Sequence, residues 1–328
     1  MLSRVANSVH WMSRYIERAE NIARFIDVNL NLVLDVPVAS EQQWAPLVQV
    51  TGDSDRFQAS YAQADEASVI AFLTFDRKNP NSIINCLITA RENARAIRPT
   101  ISSEMWEQIN RTYLMVRDAE HTQRLWHEPA AFFSHFKKAC HLFAGITDAT
   151  LTHGEAWHFI HMGRELERAE KTSRILDVKY FILLPRPDYV GSPYDSLQWI
   201  ALLRSASALE MYRKRHHRIS PRDIASFLIL DGEFPRSIRY CVTQAERSLR
   251  AILGAGIDTR STPAAQQLGR LRAELDYTDT QEIFLRGLHE SLDAYQARLN
   301  AVGQAIHDTF FALATPAGES RQAQTIGG

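Results

Sequence analysis

The chain repeats one segment of itself, and this repeat restricts the possible folds more than any other feature of the sequence. Met12–Val28 and Met162–Val178 align without a gap at an offset of 150, and nine of the seventeen positions are identical. A second pair, Phe72–Ile97 and Phe227–Ile252, aligns at an offset of 155 with eleven identities in 26 positions. Because prolines, charges and apolar residues stay in register, we interpret the chain as a tandem duplication.

The duplication predicts two domains of similar size. The first repeat covers residues 1–150 and the second covers 151–313, each carrying one charged motif. Residues 314–328 form a polar tail that we expect to be disordered. The five additional residues of the second copy are expected in Pro185–Pro193, since proline and glycine mark loops.

Helical periodicity runs through nearly the whole chain. Glycine and proline are sparse, at 14 and 12 residues, and no alternating apolar and polar run lies between hairpin turns. Pro80 and Pro235 are expected in the first turns of helices. We therefore predict an all-α fold of two tandem-duplicated antiparallel helical bundles related by a pseudo-two-fold axis. The long helices are expected at Ser3–Leu34, Asn81–Arg98, Glu104–Leu125, Pro129–Leu151, Arg236–Leu253 and Gln281–Leu313.

Charge and composition exclude several classes of partner. A formal net charge of −1 gives no reason to expect binding to nucleic acid or to an anionic membrane. The most basic stretch, Arg213–Arg222, is interpreted as a helix end, where cations are favourable. No apolar run reaches membrane-spanning length, and the three cysteines are widely spaced. We expect no secretion signal, because Arg4, His10 and Arg14 interrupt the first apolar residues. We expect a cytoplasmic protein without a membrane partner.

The charged motif forms a stripe along one side of a helix. At 3.6 residues per turn, the spacings of three and four residues between its charges place them on a single face. Apolar neighbours changed after the duplication, for example from Ile22 to Thr172 at equivalent positions, while the charges did not. Solvated charges are weakly constrained, since surface substitutions usually cost less than about half a kcal/mol. The retained charges, here named the ER stripes, are Arg14, Glu17, Arg18, Glu20, Arg24 and Asp27 in the first copy and Arg164, Glu167, Arg168, Glu170, Arg174 and Asp177 in the second.

Three interpretations of the ER stripes remain open at this point. They can be solvated faces held by pairs within one helix. They can form a buried ion network that fixes the packing of the two copies. They can also bind a ligand, with arginine holding a carboxylate or phosphate and glutamate holding an amine, as an amino acid or peptide requires. A catalytic version of that site would use Glu17 or Glu167 as the acid or base beside an arginine clamp.

Other patterns of catalytic or cofactor chemistry are weak. Glu155 and His158 form an ExxH pair of the di-iron type, but Val5 and Ser8 stand at the equivalent positions, so we expect no metal. The chain has no Walker loop, no GxGxxG and no GxSxG, and we expect no cofactor. Cysteines 86 and 241 are equivalent in the repeat and lie on apolar faces, which predicts core positions.

The sequence resembles the alpha-E family of bacterial helical proteins, named for its ER motif. The resemblance rests on SRVANSVHWMSRYIERAENIARFIDV, ARENARAIRPTISSEMWEQIN, RELERAEKTSRILDVKYFILLP and FLILDGEFPRSIRYCV, and it extends over nearly the whole chain. It adds Asn93, Arg95 and Arg98 as candidate site residues. Members of the family are typically encoded beside, or fused with, circularly permuted ATP-grasp ligases and transglutaminase-like peptidases. The resemblance therefore implies these two enzymes as partners.

The leading functional hypothesis is an accessory or binding component of such a ligase and peptidase system. Its paired ER helices would bind a peptide-like or amino-acid-like ligand or the partner enzymes themselves. The alternative is an enzyme of peptide or amide chemistry, using a glutamate of the ER motif as acid or base. A third hypothesis is a purely structural helical oligomer.

Overall fold

Every regular element in the described part of the chain is helical. The computed structural model describes residues 1–35, 40–183, 193–254 and 262–312, and these residues contain no β-strand. The predicted all-α class is therefore confirmed. None of the helices in these ranges combines the length and the apolar composition needed to cross a bilayer.

The helices follow the chain in an order that is similar before and after residue 151. The earlier ones are α1 (Ser3–Asp35), α2 (Ser40–Thr51), α3 (Ser54–Gln58), α4 (Glu66–Thr74), α5 (Ile83–Ala96), α6 (Ser103–Thr122), α7 (Arg124–His127) and α8 (Pro129–Thr150). The later ones are α9 (Glu155–Leu183), α10 (Pro193–Ser205), α11 (Leu209–Arg215), α12 (Pro221–Leu230), α13 (Ile238–Leu253), α14 (Pro263–Tyr277), α15 (Thr280–Arg286) and α16 (Leu288–Ile306). A 3-10 turn precedes α6 and a π turn follows α16.

Serine, rather than proline, begins the helices that carry the second repeated segment. The hydroxyl of Ser82 accepts a hydrogen bond from the backbone N–H of Asn85, and that of Ser237 accepts one from Tyr240. Each serine satisfies one of the amide groups that the first turn leaves without a partner. Pro80 and Pro235 were expected in the first helical turn. This expectation is wrong, because both lie two residues before the cap.

Two predicted helices are interrupted in the structure. The expected helix Gln281–Leu313 is divided at Gly287, whose φ of +105° is a backbone conformation that favours glycine. The expected helix Glu104–Leu125 ends at Thr122, because Gln123 adopts a left-handed conformation with φ of +59°. Apolar periodicity continues through both breaks, so it could not reveal a change of backbone direction.

The predicted division into two domains falls at the junction between α8 and α9 and stays a prediction. The predicted tail 314–328 lies outside the described residues, as does most of the expected loop Pro185–Pro193. Buried apolar side chains from both sides of the junction form one continuous cluster. The cluster includes Ile16 and Phe136 as well as Leu176 and Tyr295. A common core means that the two halves share the free energy of apolar burial.

The core also contains the cysteines. Cys86 and Cys241 have no exposed surface, which confirms their predicted core positions, and Cys140 is buried as well. Burial raises the pKa of the Cys86 thiol to about 12, so the reactive thiolate is suppressed near neutral pH.

Helices α1 and α9 lie side by side and run in the same direction. The N-terminal amine bonds to the carboxylate of Glu155 at 2.7 Å, and Ser13 Oγ donates to the carbonyl of Ile160 at 2.6 Å. A glycine permits the close approach, since a Cβ at Gly163 would lie 2.6 Å from the carbonyl oxygen of His10. Both helices also contact other helices of their own half, so α1 is buried on nearly all sides. The ER stripes therefore meet at the same height.

Replacing Gly163 with alanine should lower the free energy of unfolding by about 1–3 kcal/mol, because the added methyl group meets backbone rather than a side chain that can move. Denaturant unfolding followed by circular dichroism measures this change.

Gly145→Ala is the matched control within α8, where an added Cβ has nothing within 4 Å. Its expected effect is a gain of about 0.5–1 kcal/mol from the better helix propensity of alanine. Equal effects of the two substitutions would contradict the close contact between α1 and α9.

Candidate functional site

The ER stripes join α1 to α9 through a reciprocal exchange of ion pairs. Arg18 holds both oxygens of Glu167, with Nε at 2.7 Å and Nη2 at 3.1 Å. Arg168 holds both oxygens of Glu17, with Nε and Nη2 each at 3.0 Å. Each helix thus gives one arginine and receives one. Two parallel N–H···O bonds fix both the distance and the plane of each pair.

These pairs lie in the interior. The carboxylates of Glu17 and Glu167 are 3% and 0% exposed, and the side chains of Arg18 and Arg168 are 15% and 14% exposed. The solvated-face interpretation therefore does not apply to them. Since an ion that loses its partner in such a place costs about 3–5 kcal/mol, the four side chains depend on one another.

The electrostatic environment keeps both carboxylates ionised. Burial is the largest influence on Glu17 and opposes its ionisation, but Arg168 and Arg236 outweigh it and hold the pKa below its usual range. Burial opposes ionisation of Glu167 in the same way, while Arg18 and Arg14 hold its pKa well below the usual range.

Besides the arginines of the ER stripes, another cation lies beside the glutamates of each stripe, and these two cations come from different places in the chain. Arg236, just before α13, donates from Nη1 to Glu17 at 2.8 Å and from Nη2 to Glu20 at 2.7 Å. Lys171, on α9 itself, lies 3.6 Å from Glu167. The repeat equivalents of these cations are both asparagine, at positions 81 and 21. The cation has thus changed place between the halves while the charge near the carboxylates is retained.

Both asparagines take part in the network. Asn81 accepts from Arg18 Nη1 at 2.8 Å, and its Nδ2 donates to both oxygens of the buried Asp53 at 3.0 and 3.1 Å. Asn21 donates to Glu17 Oε1 at 3.0 Å and accepts from Arg236 at 3.1 Å. A neutral amide can do both because it carries donors and an acceptor.

The first arginines of the two stripes differ in their partners. Arg14 donates to Glu167 at 2.9 Å and to Glu170 at 3.1 Å, so it also joins α1 to α9. Arg164 instead donates to its neighbour Glu165 at 3.2 Å, a buried carboxylate that also accepts from Arg168. Glu165 has Tyr15 as its repeat equivalent, which explains why the first copy has no such pair.

The C-terminal parts of the stripes reach other helices. Arg24 donates to Glu20 and to the hydroxyl of Ser207, which follows α10. His141 of α8 lies 3.0 Å from the same glutamate. Arg174 donates to Glu170 at 3.0 Å. The stripes therefore fix α8 and the end of α10 as well as each other.

The aspartates end the stripes with contacts to the last long helix of each half. Asp27 accepts from Lys137 Nζ of α8 at 2.6 Å. Asp177 lies 2.6 Å from His289 Nδ1 of α16, and this hydrogen bond raises the pKa of His289.

The candidates added by the family resemblance lie elsewhere. Asn93 and Arg95 are at the far end of α5 and Arg98 is in the 3-10 turn that follows it, whereas Asn81 contacts the ER stripes just before the beginning of this helix. Ten or more residues separate the start of α5 at Ile83 from these three candidates, about 15 Å at 1.5 Å per residue. Asn93 bonds to a carbonyl of its own helix, and Arg95 pairs with Glu92. The structure does not bring these three residues to the ER stripes.

Several network residues were missed by the sequence comparison. All of them except His141 fall inside the matched segments but differ between the copies, and the comparison selected identities. Arg236 has Asn81 as its repeat equivalent, and Lys171 has Asn21. A search for such complementary changes, in which each half has a cation where the other has asparagine, could have found these four residues. The missed residues are Asn21, Asn81, His141, Glu165, Lys171 and Arg236.

The geometry does not favour acid–base catalysis by the ER glutamates. A general acid or base needs a pKa near the working pH and access to the reacting group. Glu17 and Glu167 are almost fully buried, bidentately paired and held at lowered pKa. Among the three interpretations, a buried ion network describes the central part of the stripes.

Arg236→Asn should lower the free energy of unfolding by about 3–5 kcal/mol, because it leaves Glu17 and Glu20 short of one buried partner. Adding Asn21→Lys should recover more than about half of that loss, since it supplies the cation at the position that the second half uses.

A double-mutant cycle by urea unfolding measures this recovery. Asn21→Lys alone is the control and should destabilise, because it places a lysine beside Arg236. Additive effects of the two substitutions would contradict the exchange of cation positions.

The pH dependence of stability should follow the lowered glutamate pKa values. The ion pairs contribute fully above the unfolded pKa of about 4.3, and the contribution is lost as the pH falls below that value towards the folded pKa. A Glu17→Gln/Glu167→Gln variant should be less stable at pH 7 and lose less stability between pH 5 and 3. Parallel pH profiles of the two proteins would exclude this linkage.

Comparison with known proteins identifies the family. The family model Alpha-E, described as a predicted alpha-helical domain with a conserved ER motif, matches residues 1–311. Uncharacterised proteins of Mycobacterium bovis and of two Mycobacterium tuberculosis strains are each 22% identical over 337 residues. The alignment covers 96% of this chain but only 37% of each relative, so the chain spans little more than a third of their length. No solved structure matches significantly.

The family model covers almost the whole chain, and the two longest helices pair through the residues of the ER motif. The protein therefore belongs to the Alpha-E family.

Proposed function

We propose that this chain is a binding component of a system containing an ATP-grasp amide ligase and a transglutaminase-like peptidase, and that it is not itself the catalyst. In this proposal, the ER stripes are the junction that fixes the surface to which these enzymes bind. The observation that carries it is the reciprocal pairing of Arg18 with Glu167 and of Arg168 with Glu17. A pairing that engages both carboxylates bidentately supports a structural junction over an open ligand site.

The duplicated architecture belongs to the same proposal. We infer that the two halves are copies of one antiparallel bundle, packed about a pseudo-two-fold axis between α1 and α9. The reciprocal pairs support this inference, because an isologous contact brings equivalent residues together in both directions. The matching caps of α5 and α13 and the same order of long helices support it as well.

The length of the relatives also supports a binding role. This chain aligns with little more than a third of each mycobacterial protein. A segment that occurs within a longer chain can act as a module beside other domains. The enzymes are implied only by the family resemblance, and the chemistry of the amide substrate is left to them.

The chain should retain the ligase and the peptidase encoded beside its gene when it is immobilised, and it should not hydrolyse or ligate peptides when it is alone. Pull-down with purified enzymes and a peptide assay monitored by mass spectrometry measure the two properties. Turnover by the isolated chain would favour the enzymatic alternative instead. Retention of neither enzyme would remove the basis for a binding role.

Arg18→Lys should weaken retention of the partners together with the stability of the fold, because lysine keeps the charge but loses the planar fork that sets the angle of α1 to α9. Arg111→Lys on the exposed side of α6 is the control and should change neither quantity. A variant with normal stability and normal retention would show that the bidentate geometry has no role.

A further inference from the structure

Outside the ER stripes, α5, α6 and the 3-10 turn between them carry a ladder of alternating arginine and aromatic side chains. The guanidinium of Arg98 lies 4.9 Å from the ring centre of Trp106. That of Arg91 lies 5.5 Å from the same ring and 5.3 Å from the ring of Tyr113. Stacking on an aromatic face orients a guanidinium and leaves its N–H groups, which lie in the plane, available to an acceptor. In Arg91 these groups already meet Asn110 and Glu92, so Arg98 is the arginine of the ladder whose N–H groups are available to an anion.

The ladder has unused capacity to bind anions. Arg98 is exposed, and no carboxylate of the described residues lies within ion-pair distance of it. In the last turns of α5, just before Arg98, the carboxylate of Glu92 lies 2.5 Å from Arg95 and 3.5 Å from Arg91. This glutamate shows the kind of group that the arginines accept, an acidic side chain placed between two guanidinium groups.

The second half shows that helix packing does not require the ladder. Its equivalents of Arg91 and Arg98 are Glu246 and Leu253, and alignment of the helix caps places Gln266 at the position of Trp106. There α13 and α14 pack through an internal pair, with Glu246 2.7 Å from Arg272. In the first half α5 and α6 are joined by Arg91, whose Nε donates to Asn110 Oδ1 at 2.6 Å, while Arg98 is exposed.

We propose that the ladder of Arg98, Trp106, Arg91 and Tyr113, extended by Arg95, is a docking site for an acidic segment of a partner protein. The proposal rests on the binding role proposed above and names the chemistry of the partner. Carboxylates of the segment bond to Arg98 and, in place of Glu92, to Arg95, and the aromatic rings contact the aliphatic part of its side chains. An acidic peptide fits better than nucleic acid, because the ladder is a short site of a few arginines and the chain, with a net charge of −1, lacks the overall basic charge of a nucleic-acid-binding domain.

The test is fluorescence anisotropy of the full chain with a labelled peptide that contains eight glutamates. A peptide with eight glutamines is the uncharged control. The glutamate peptide should bind more tightly than the glutamine peptide, and its affinity should fall as salt is added. Equal binding of the two peptides, or no binding of either, would overturn the proposal. Tighter binding of a single-stranded oligothymidylate than of the glutamate peptide would overturn the choice of a protein partner.

Variants locate the binding on the ladder. Arg98→Ala should weaken binding of the glutamate peptide at least about fivefold, as expected for loss of one charged hydrogen-bonded pair, and Arg98→Lys should lie between it and the wild type. Arg250→Ala is the matched control on α13, at the position equivalent to Arg95, and should leave binding unchanged. Equal loss in Arg98→Ala and Arg250→Ala would show an effect of net charge alone and would overturn the assignment.

The peptide-binding and pull-down experiments test the two proposals separately, so that one proposal can be contradicted while the other is supported. Peptide binding that depends on Arg98, without retention of the ligase or peptidase, supports the site and contradicts the proposed partners. Retention of those enzymes by Arg98→Ala as well as by the wild type supports the partners and contradicts the ladder as their site.

Discussion

Two arginine–glutamate pairs hold α1 against α9, and the arrangement of the rest of the molecule depends on them. Arg18 and Arg168 each reach across to the carboxylate of the other helix, and all four groups lie almost entirely away from water. Buried ion pairs add little net stability compared with apolar packing, but breaking one of them is costly. Their main effect is to select one relative position of the two helices, because a shift of either helix would separate both pairs together.

The ER stripes also bond to the neighbouring helices and so fix their positions. Arg236 links α1 to the start of α13, and Arg24 links α1 to the end of α10. Lys137 of α8 and His289 of α16 bond to the aspartates that end the stripes. Each contact consists of a charge meeting a charge or a directed hydrogen bond, so each one fixes orientation as well as distance. The common apolar core supplies the free energy of burial, while the ER network determines which way the helices face.

The two halves supply cations to their glutamates from different positions of the chain. A cation placed before α13 serves the glutamates of α1, while a cation on α9 itself serves the glutamates of α9. Charge near the carboxylates is constrained, whereas the position on the chain that supplies it is not. Outside the network, the halves differ further, and the arginine–aromatic ladder between α5 and α6 has no counterpart at the equivalent positions of α13 and α14, which hold Glu246, Leu253 and Gln266. The junction between α1 and α9 requires residues of both halves, whereas the ladder is formed by residues of the first half alone.

The sequence by itself determined the helical class, most of the helices and the ER stripes. Periodicity and caps are local properties, and the repeat supplied an internal comparison that separated retained charges from replaceable ones. Only the tertiary structure decided that these charges face each other across two helices, that Arg236, Lys171 and two asparagines complete their pairing, and that Asn93, Arg95 and Arg98 lie elsewhere. The breaks at Gly287 and Gln123 also required it. The physical reason is that an ion pair depends on the distance between atoms far apart in the chain, and helical spacing gives the face of a residue but not the partner opposite it.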